Sequence, residues 1–131
     1  NNVKKLNLQS YINFIDYNEY IYEEYIKSDI IVIPSIKPES FGLVAIEAMS
    51  FKKPVIGSNH GGLSEIILHN ETGYLFKPND LSDFYKFLTN LILNNDLRRK
   101  FGEEGYNRFK RKFTLEIYFK HFHQLLDKII N

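Results

Sequence analysis

Residues 30–57 read IIVIPSIKPESFGLVAIEAMSFKKPVIG and carry the clearest indication of the fold class. Its opening run, 30–33, is continuously apolar, as in a strand covered on both faces, and Pro34 ends the run. A helical pattern follows over 41–51, and a second apolar run follows at 55–57. Buried strands that alternate with helices predict a parallel sheet.

The same alternation continues on both sides of this stretch. Asp80 and Thr114 have the residue types and positions of helix N-caps, and Asn94-Asn95 interrupts the pattern between them. We therefore predict an α/β fold, a Rossmann-like parallel sheet with helices on both faces and a helical tail at 80–131. The further predicted elements are a strand at 11–15, helices at 17–27 and 63–68, a strand at 73–76, and helices that begin at Asp80, near Asp96 and at Thr114.

Length and composition limit the class of protein. The chain has 131 residues, the size of one ordinary domain, and 44% apolar and 25% charged residues are typical of a globular chain. It contains no cysteine, which excludes disulfides and thiolate chemistry. No apolar run approaches the ~20 residues of a membrane span, and we see no signal peptide. The opening Asn-Asn-Val is an unusual start and suggests a piece of a longer chain.

Charge is distributed unevenly along the chain. Residues 1–97 carry 8 basic and 12 acidic side chains, whereas residues 98–131 carry 9 and 4. The basic segment 98–112 fits a solvated helix face, a peripheral contact with an anionic membrane, or nucleic acid. No nucleic-acid fold signature accompanies it, so we expect no nucleic-acid partner.

Two loops follow neighbouring strands of the predicted sheet, where ligands bind in open α/β folds. The first loop, 34–42, leads into a helix whose opening amides are those of Phe41, Gly42 and Leu43. Those amides and the helix dipole suit a phosphate. The second loop, 57–62, ends in Gly61-Gly62 and repeats the arrangement.

Two carboxylates flank the first helix mouth. The helix is apolar on all sides, so we expect it to be buried, with Glu47 as its only charge. A buried carboxylate needs strong donors, which are either protein groups or ligand hydroxyls. Glu39 lies on the loop, where an exposed side chain without a special role is the simpler interpretation.

The segment ESFGLVAIE at 39–47 resembles the Glu-x7-Glu motif of retaining glycosyltransferases of family 4. The likeness continues in KPVI at 53–56, GGLSEII at 61–67 and NETGYLF at 70–76, and covers roughly residues 10–125. The family has two Rossmann-like domains that face across a cleft, the GT-B architecture. This chain resembles a partial C-terminal, donor-binding domain truncated at its N-terminus.

The resemblance implies a role for each site residue. Glu39 would bind hydroxyls of the donor sugar, and Glu47 would accept hydrogen bonds from the ribose. The amides of Phe41, Gly42 and Leu43 would contact the diphosphate, and Asp16 and Tyr17 would lie near the base. The second loop would be shaped by His60, Gly61 and Gly62, for which a plain tight turn is the alternative.

The resemblance also implies an activity. It is retaining transfer of a hexose from a nucleoside-diphosphate sugar, with UDP-sugars favoured over GDP-sugars, to an acceptor sugar or lipid-linked glycan. Neither a metal nor a further cofactor is expected. The expected setting is bacterial surface polysaccharide or lipopolysaccharide O-antigen synthesis in the cytoplasm, at the inner face of the membrane. A catalytically inactive nucleotide-sugar-binding or scaffolding module is the alternative. This sequence has neither the acidic residues of a receiver domain nor the glycine motif of a dinucleotide-binding oxidoreductase, so both classes are disfavoured.

The family's acceptor domain and the start of its donor domain have no counterpart in this sequence, so we expect little transferase activity from the 131 residues alone. The 11–15 strand would lack its usual neighbour and would pair with 30–33 or with a second chain. Self-association is therefore expected as one outcome. In the last helix, Phe119 and Phe122 are expected to be partly exposed.

Overall fold

The computed structural model describes residues 2–16 and 20–130, and its centre is a parallel three-stranded sheet of order β1-β2-β3. Val32 is in register with Ile56, and Ile56 is in register with Tyr74. The strand bounds are β1 Ile31–Ile33, β2 Val55–Ser58 and β3 Gly73–Phe76. All three agree with the predicted strands to within one residue. Because parallel neighbours need a crossover, a helix separates each pair along the chain.

Among the described residues, the helices that precede the last strand are short and those that follow it are long. Asp80 accepts a hydrogen bond from the Asp83 amide at 3.0 Å, and Asn94 accepts one from the Leu97 amide at 3.0 Å. These caps start the helices that begin at Leu81 and Asn95, at the positions that the sequence indicates, and Asn94 acts as a cap as well as a break. The bounds are α1 Asn2–Lys5, α2 Tyr22–Lys27, α3 Leu43–Ser50, α4 Leu63–Ile66, α5 Leu81–Leu93, α6 Asn95–Lys112 and α7 Leu115–Ile130.

Side chains that alternate along the strands pack into two separate hydrophobic cores, one on each face of the sheet. Val55 packs in one cluster with α3 and α4, and its neighbour Ile56 packs in the other with Leu91 and Phe101 of α5 and α6. Both Val55 and Ile56 are fully buried. The alternation arises because successive strand residues point to opposite faces of the sheet. The prediction of an α/β fold with helices on both faces is therefore confirmed.

The predicted strand at 11–15 is wrong. Residues 12–16 have no regular structure, and Tyr11 and Phe14 are 84% and 74% exposed. A strand is stabilised by its ladder of hydrogen bonds, and within the described residues this segment pairs neither with β1 nor with any other strand. Of the predicted helix 17–27, α2 forms the part from Tyr22 to Lys27, and residues 17–19 lie outside the described residues.

The helical tail is less buried than its apolar pattern indicates. Leu81 is 80% exposed, although Phe84, Phe87 and Leu91 on the same apolar stripe of α5 pack in the core. Phe119 and Phe122 are 54% and 45% exposed, which confirms the expectation for the last helix. No helix of the described ranges is both long enough and apolar enough to cross a bilayer.

Candidate functional site

The two predicted loops meet at the carboxyl end of the sheet. The Gly62 amide donates a hydrogen bond to the Glu39 carbonyl oxygen at 2.7 Å. His60 Nε2 donates to the Ser35 carbonyl oxygen at 2.7 Å. The loops after β1 and β2 therefore form one rigid unit, held by a bond at each end.

Gly61 and Gly62 allow this close approach. Gly61 has a φ of +59°, and a Cβ there would lie 2.8 Å from the Glu39 nitrogen. A Cβ on Gly62 would lie 2.5 Å from the Phe41 carbonyl oxygen. Both positions need glycine because the opposing atoms are backbone and cannot move aside. The Gly62 amide is already bonded to the Glu39 carbonyl oxygen, which agrees with the tight-turn alternative, and the predicted contact of this pair with the donor's phosphates stays a prediction.

The mouth of α3 offers unpaired donors. Helix α3 begins after Gly42, whose φ of +85° is left-handed and which has no side-chain cap. Within the described chain, the amides of Phe41, Gly42 and Leu43 donate no hydrogen bond. Unpaired amides and the positive end of the helix dipole together favour an anion. The structure thus brings the three predicted diphosphate-binding amides together at one point.

Glu39 carries an unpartnered carboxylate oxygen. The side chain is half-buried, and its Oε2 is enclosed with no hydrogen-bond partner among the described residues. Leaving a buried acceptor unsatisfied costs about 1–3 kcal/mol, more when it is charged. A freely exposed loop side chain would not incur that cost, because water would satisfy its carboxylate. Glu39 is therefore held where a donor from a ligand would be stabilising.

Glu47 differs from its prediction. It is exposed rather than buried, because α3 packs only one side on the sheet and α6 while Phe41, Leu43 and Val44 on its other side are 58%, 59% and 39% exposed. Its Oε2 accepts a hydrogen bond of 2.7 Å from the Tyr25 hydroxyl. The rest of the carboxylate is open to solvent. The expectation of a fully buried helix with a buried charge is wrong.

Tyr25 is the site residue that the sequence did not reveal. Its ring is 6% exposed and stacks on Phe51 at 5.5 Å, so the hydroxyl has a fixed position. Burial, followed by the hydrogen bond and the charge of Glu47, raises the pKa of Tyr25 well above its usual range. An aromatic residue in a short helix is typical of a core position, so no sequence signal distinguishes it.

The remaining predicted site residues are Asp16 and Tyr17. Asp16 is exposed and forms no hydrogen bond or ion pair with a described residue, and Tyr17 lies outside the described residues. Their predicted place near the base stays a prediction. Within residues 2–16 and 20–130, no three His, Asp or Glu side chains cluster as metal ligands would.

The basic segment 98–112 is not one patch. Arg98 Nη1 donates to the Leu91 and Ile92 carbonyl oxygens and so caps the end of α5. Arg108 donates to the Ile66 carbonyl at 2.8 Å and the Glu65 carbonyl at 2.7 Å and caps α4. Burial, with repulsion from Arg111, lowers the pKa of Arg108. Two of the predicted surface cations therefore have structural roles.

Comparison with known proteins gives a consistent result. The family model described as "Glycosyl transferases group 1" matches residues 1–108. An uncharacterised glycosyltransferase of Methanocaldococcus jannaschii is 40% identical over 90 residues, which cover 69% of this chain and 25% of that protein.

Solved structures agree with the family model. Sucrose-phosphate synthase from Thermosynechococcus elongatus superposes with a TM-score of 0.88 at 32% identity, over 98% of this chain and 32% of that one. An Anabaena protein, HepE, solved in complex with UDP and glucose, has a TM-score of 0.89 over 96% of this chain and 34% of its own, and at 21% identity it shares the fold alone. The chain thus spans between a quarter and about a third of these relatives' lengths.

Proposed function

The chain belongs to the glycosyl transferases group 1 family, and on that premise we propose that it binds the nucleoside-diphosphate sugar of a retaining hexosyltransferase. The observation that carries the proposal is the enclosed, unpartnered Oε2 of Glu39 beside the unpaired amides of the α3 mouth. A sugar nucleotide has both complements, since its hydroxyls donate to a carboxylate and its diphosphate accepts from amides. UDP-sugar is the favoured donor, in line with the UDP bound to the Anabaena structure.

Each residue has a proposed task. Glu39 accepts hydrogen bonds from the donor sugar, and Glu47 accepts them from the ribose. The amides of Phe41, Gly42 and Leu43 hold the diphosphate. Tyr25 acts through Glu47, because its buried hydroxyl fixes one carboxylate oxygen and leaves the other without a hydrogen bond from a described residue.

The chemistry follows from where charge develops. When the bond between sugar and diphosphate breaks, negative charge grows on the diphosphate and positive charge on the sugar ring. The amides and the dipole of α3 stabilise the negative charge without reorganisation, because their orientation is fixed by the fold. Glu39 orients the sugar so that the acceptor attacks on the face that the diphosphate leaves, which preserves the anomeric configuration.

The acceptor and the cellular role are part of the same proposal. We expect an acceptor sugar or lipid-linked glycan in the assembly of bacterial surface polysaccharide or lipopolysaccharide O-antigen. The enzyme would act in the cytoplasm, and residues outside this chain would supply most of the acceptor site.

Calorimetric titration of the 131-residue chain tests the proposal. UDP, GDP, ADP and their glucose conjugates are compared, and UDP-glucose is expected to bind most tightly. Glu47→Gln should weaken UDP and UDP-glucose equally, because both carry the ribose. Glu39→Gln should weaken UDP-glucose by about 10- to 100-fold, the value of a hydrogen bond to a charged group, and leave UDP unchanged.

The matched control is Glu104→Gln, an exposed carboxylate on α6. It removes the same charge and should leave every affinity unchanged. Failure of all nucleotides to bind the wild-type chain, or equal losses in Glu39→Gln and Glu104→Gln, would contradict the assignment of the site.

A further inference from the structure

The loop that carries Glu39 has few polar contacts of its own. Residues 34–41 form no backbone hydrogen bond with one another and no ion pair with a described residue. Pro34 and Pro38 have no amide proton to donate. Within the described chain, the hydrogen bonds of this segment are the two accepted by the Ser35 and Glu39 carbonyl oxygens. The conformation of the first loop therefore depends on groups outside it.

Both of these hydrogen bonds come from the second loop. His60 Nε2 donates to the Ser35 carbonyl oxygen at 2.7 Å, and the Gly62 amide donates to the Glu39 carbonyl oxygen at 2.7 Å. A carbonyl oxygen only accepts, so Nε2 carries a proton, and both the neutral and the charged imidazole ring can form this bond. The first loop is thus held at residues 35 and 39.

The second loop is itself anchored to the sheet. The Asn59 amide donates to the Phe76 carbonyl oxygen at 2.8 Å, at the end of β3. The His60 amide donates to the carbonyl oxygen of Ser58 at 2.8 Å, and Ser58 is a buried residue that ends the central strand β2. The backbone of His60 is therefore fixed by the sheet, and its side chain holds the first loop relative to the sheet.

We infer that His60 is a positioning residue for Glu39, because its hydrogen bond to Ser35 holds the loop on which the enclosed Glu39 carboxylate meets the donor sugar. This inference rests on the proposed function, and it assigns His60 no contact with the donor. A loop that is held before binding loses less conformational freedom when the sugar binds, so the affinity for the sugar is higher. The group that benefits is Glu39 Oε2, which has no hydrogen-bond partner among the described residues.

The effect of His60 should be confined to the sugar. The mouth of α3 is held by other contacts, since Gly42 packs so closely on α4 that a Cβ there would lie 3.0 Å from Leu63 Cδ2. UDP and UDP-glucose share the diphosphate and the ribose, which the proposal assigns to this mouth and to Glu47. Only UDP-glucose presents a sugar to Glu39. The ratio of the two affinities therefore reports on the loop separately from the mouth.

Calorimetric titration of the 131-residue chain with UDP and with UDP-glucose tests the inference. His60→Leu removes the donor and keeps an apolar side chain of similar size. It should weaken UDP-glucose by about 2- to 13-fold, the value of one hydrogen bond, and leave UDP unchanged. His60→Gln retains an N–H donor and should recover most of the affinity for UDP-glucose. Urea denaturation shows whether each variant is folded under the conditions of the titration.

His69→Leu is the matched control. His69 Nδ1 accepts a hydrogen bond of 3.0 Å from the Leu75 amide of β3, so this substitution also removes one bond between a histidine ring and the backbone. It should lower the free energy of unfolding and leave both affinities unchanged. If His69→Leu weakens UDP-glucose as much as His60→Leu does, the inference is wrong.

Combining His60→Leu with Glu39→Gln separates a positioning role from direct contact. If His60 acts through Glu39, its substitution should have little further effect on UDP-glucose once the carboxylate is replaced. An undiminished loss in the Glu39→Gln background, an equal loss for UDP, or no recovery in His60→Gln would each overturn the inference.

The same titrations distinguish failure of this inference from failure of the proposed function. If the wild-type chain binds neither UDP nor UDP-glucose, the proposed function fails and the inference fails with it. If Glu39→Gln weakens UDP-glucose and His60→Leu does not, the proposed function stands and only the role of His60 is refuted.

Discussion

Replacing Tyr25 with phenylalanine isolates the contact between α2 and the proposed ribose-binding carboxylate. The substitution removes one hydroxyl and keeps the ring, which is 6% exposed and stacked on Phe51 at 5.5 Å. The 2.7 Å hydrogen bond to Glu47 is lost. Because Glu47 is exposed, water replaces the lost donor, and the free energy of unfolding should fall by only about 0.5–1.5 kcal/mol.

The larger consequence is for binding. Without Tyr25, the Glu47 side chain regains rotamers that binding must then restrict, at a cost of about 0.5–1.5 kcal/mol. UDP affinity should therefore fall by about 2- to 13-fold, measured by calorimetry. In a Glu47→Gln background the same substitution should change UDP affinity much less, since the anchored charge is already absent.

Tyr74→Phe provides a matched control. Tyr74 is 5% exposed, and its hydroxyl accepts one hydrogen bond of 2.6 Å from Asn90 on the other face of the sheet. Its substitution should destabilise the chain to a similar extent, measured by urea denaturation, and leave UDP affinity unchanged. If Tyr25→Phe and Tyr74→Phe have the same effect on stability and neither changes UDP affinity, Tyr25 has only a structural role.

Three further predictions concern stability, each measured by urea denaturation. Gly61→Ala should lower the free energy of unfolding by about 2–4 kcal/mol, because it combines a left-handed φ with overlap against the Glu39 backbone; a loss below 0.5 kcal/mol would mean that the loops are not packed as described. The pKa of Tyr25 is raised in the folded state, so the free energy of unfolding that its protonated hydroxyl contributes is complete below the ordinary tyrosine pKa of about 10 and is lost as the pH rises above it. The stability of the wild-type chain should therefore fall more steeply than that of Tyr25→Phe as the pH rises beyond about 10. Arg108→Met should cost about 1–3 kcal/mol, because two carbonyl oxygens at the end of α4 lose their donors; an unchanged urea midpoint would show that water replaces the guanidinium without loss.

Much of the fold could be predicted because its signals are local. The apolar run at 30–33, the caps at Asp80 and Asn94 and the strand at 73–76 each depend on a few consecutive residues. The predicted strand at 11–15 had an equally good local pattern and is wrong. A strand also needs a neighbour, and a neighbour is a property of the whole sheet.

The candidate site divides in the same way. The helix mouth at Phe41, Gly42 and Leu43 could be predicted, because a glycine before an apolar helix fixes where unpaired amides occur. The environments of the two carboxylates could not. Glu47 is exposed on a helix whose other residues are apolar or small, and Glu39 is half-buried on a loop whose neighbouring residues Pro38 and Ser40 are exposed. In each case the neighbouring residues in the sequence predict the wrong degree of burial.

The order of amino acids was enough to predict the alternation of strands and helices, the ends of most elements, the glycines at the turns and the motif that marks the family. These depend on backbone preferences and spacing, which act over a few residues. Three features are visible only in the folded chain: Tyr25 anchors Glu47, the Gly62 amide is bonded to the Glu39 carbonyl oxygen, and Arg98 and Arg108 have structural contacts at opposite ends of α6. The contacts of Tyr25, Gly62 and Arg108 each join residues far apart in the chain, and such distances are fixed only when the elements pack.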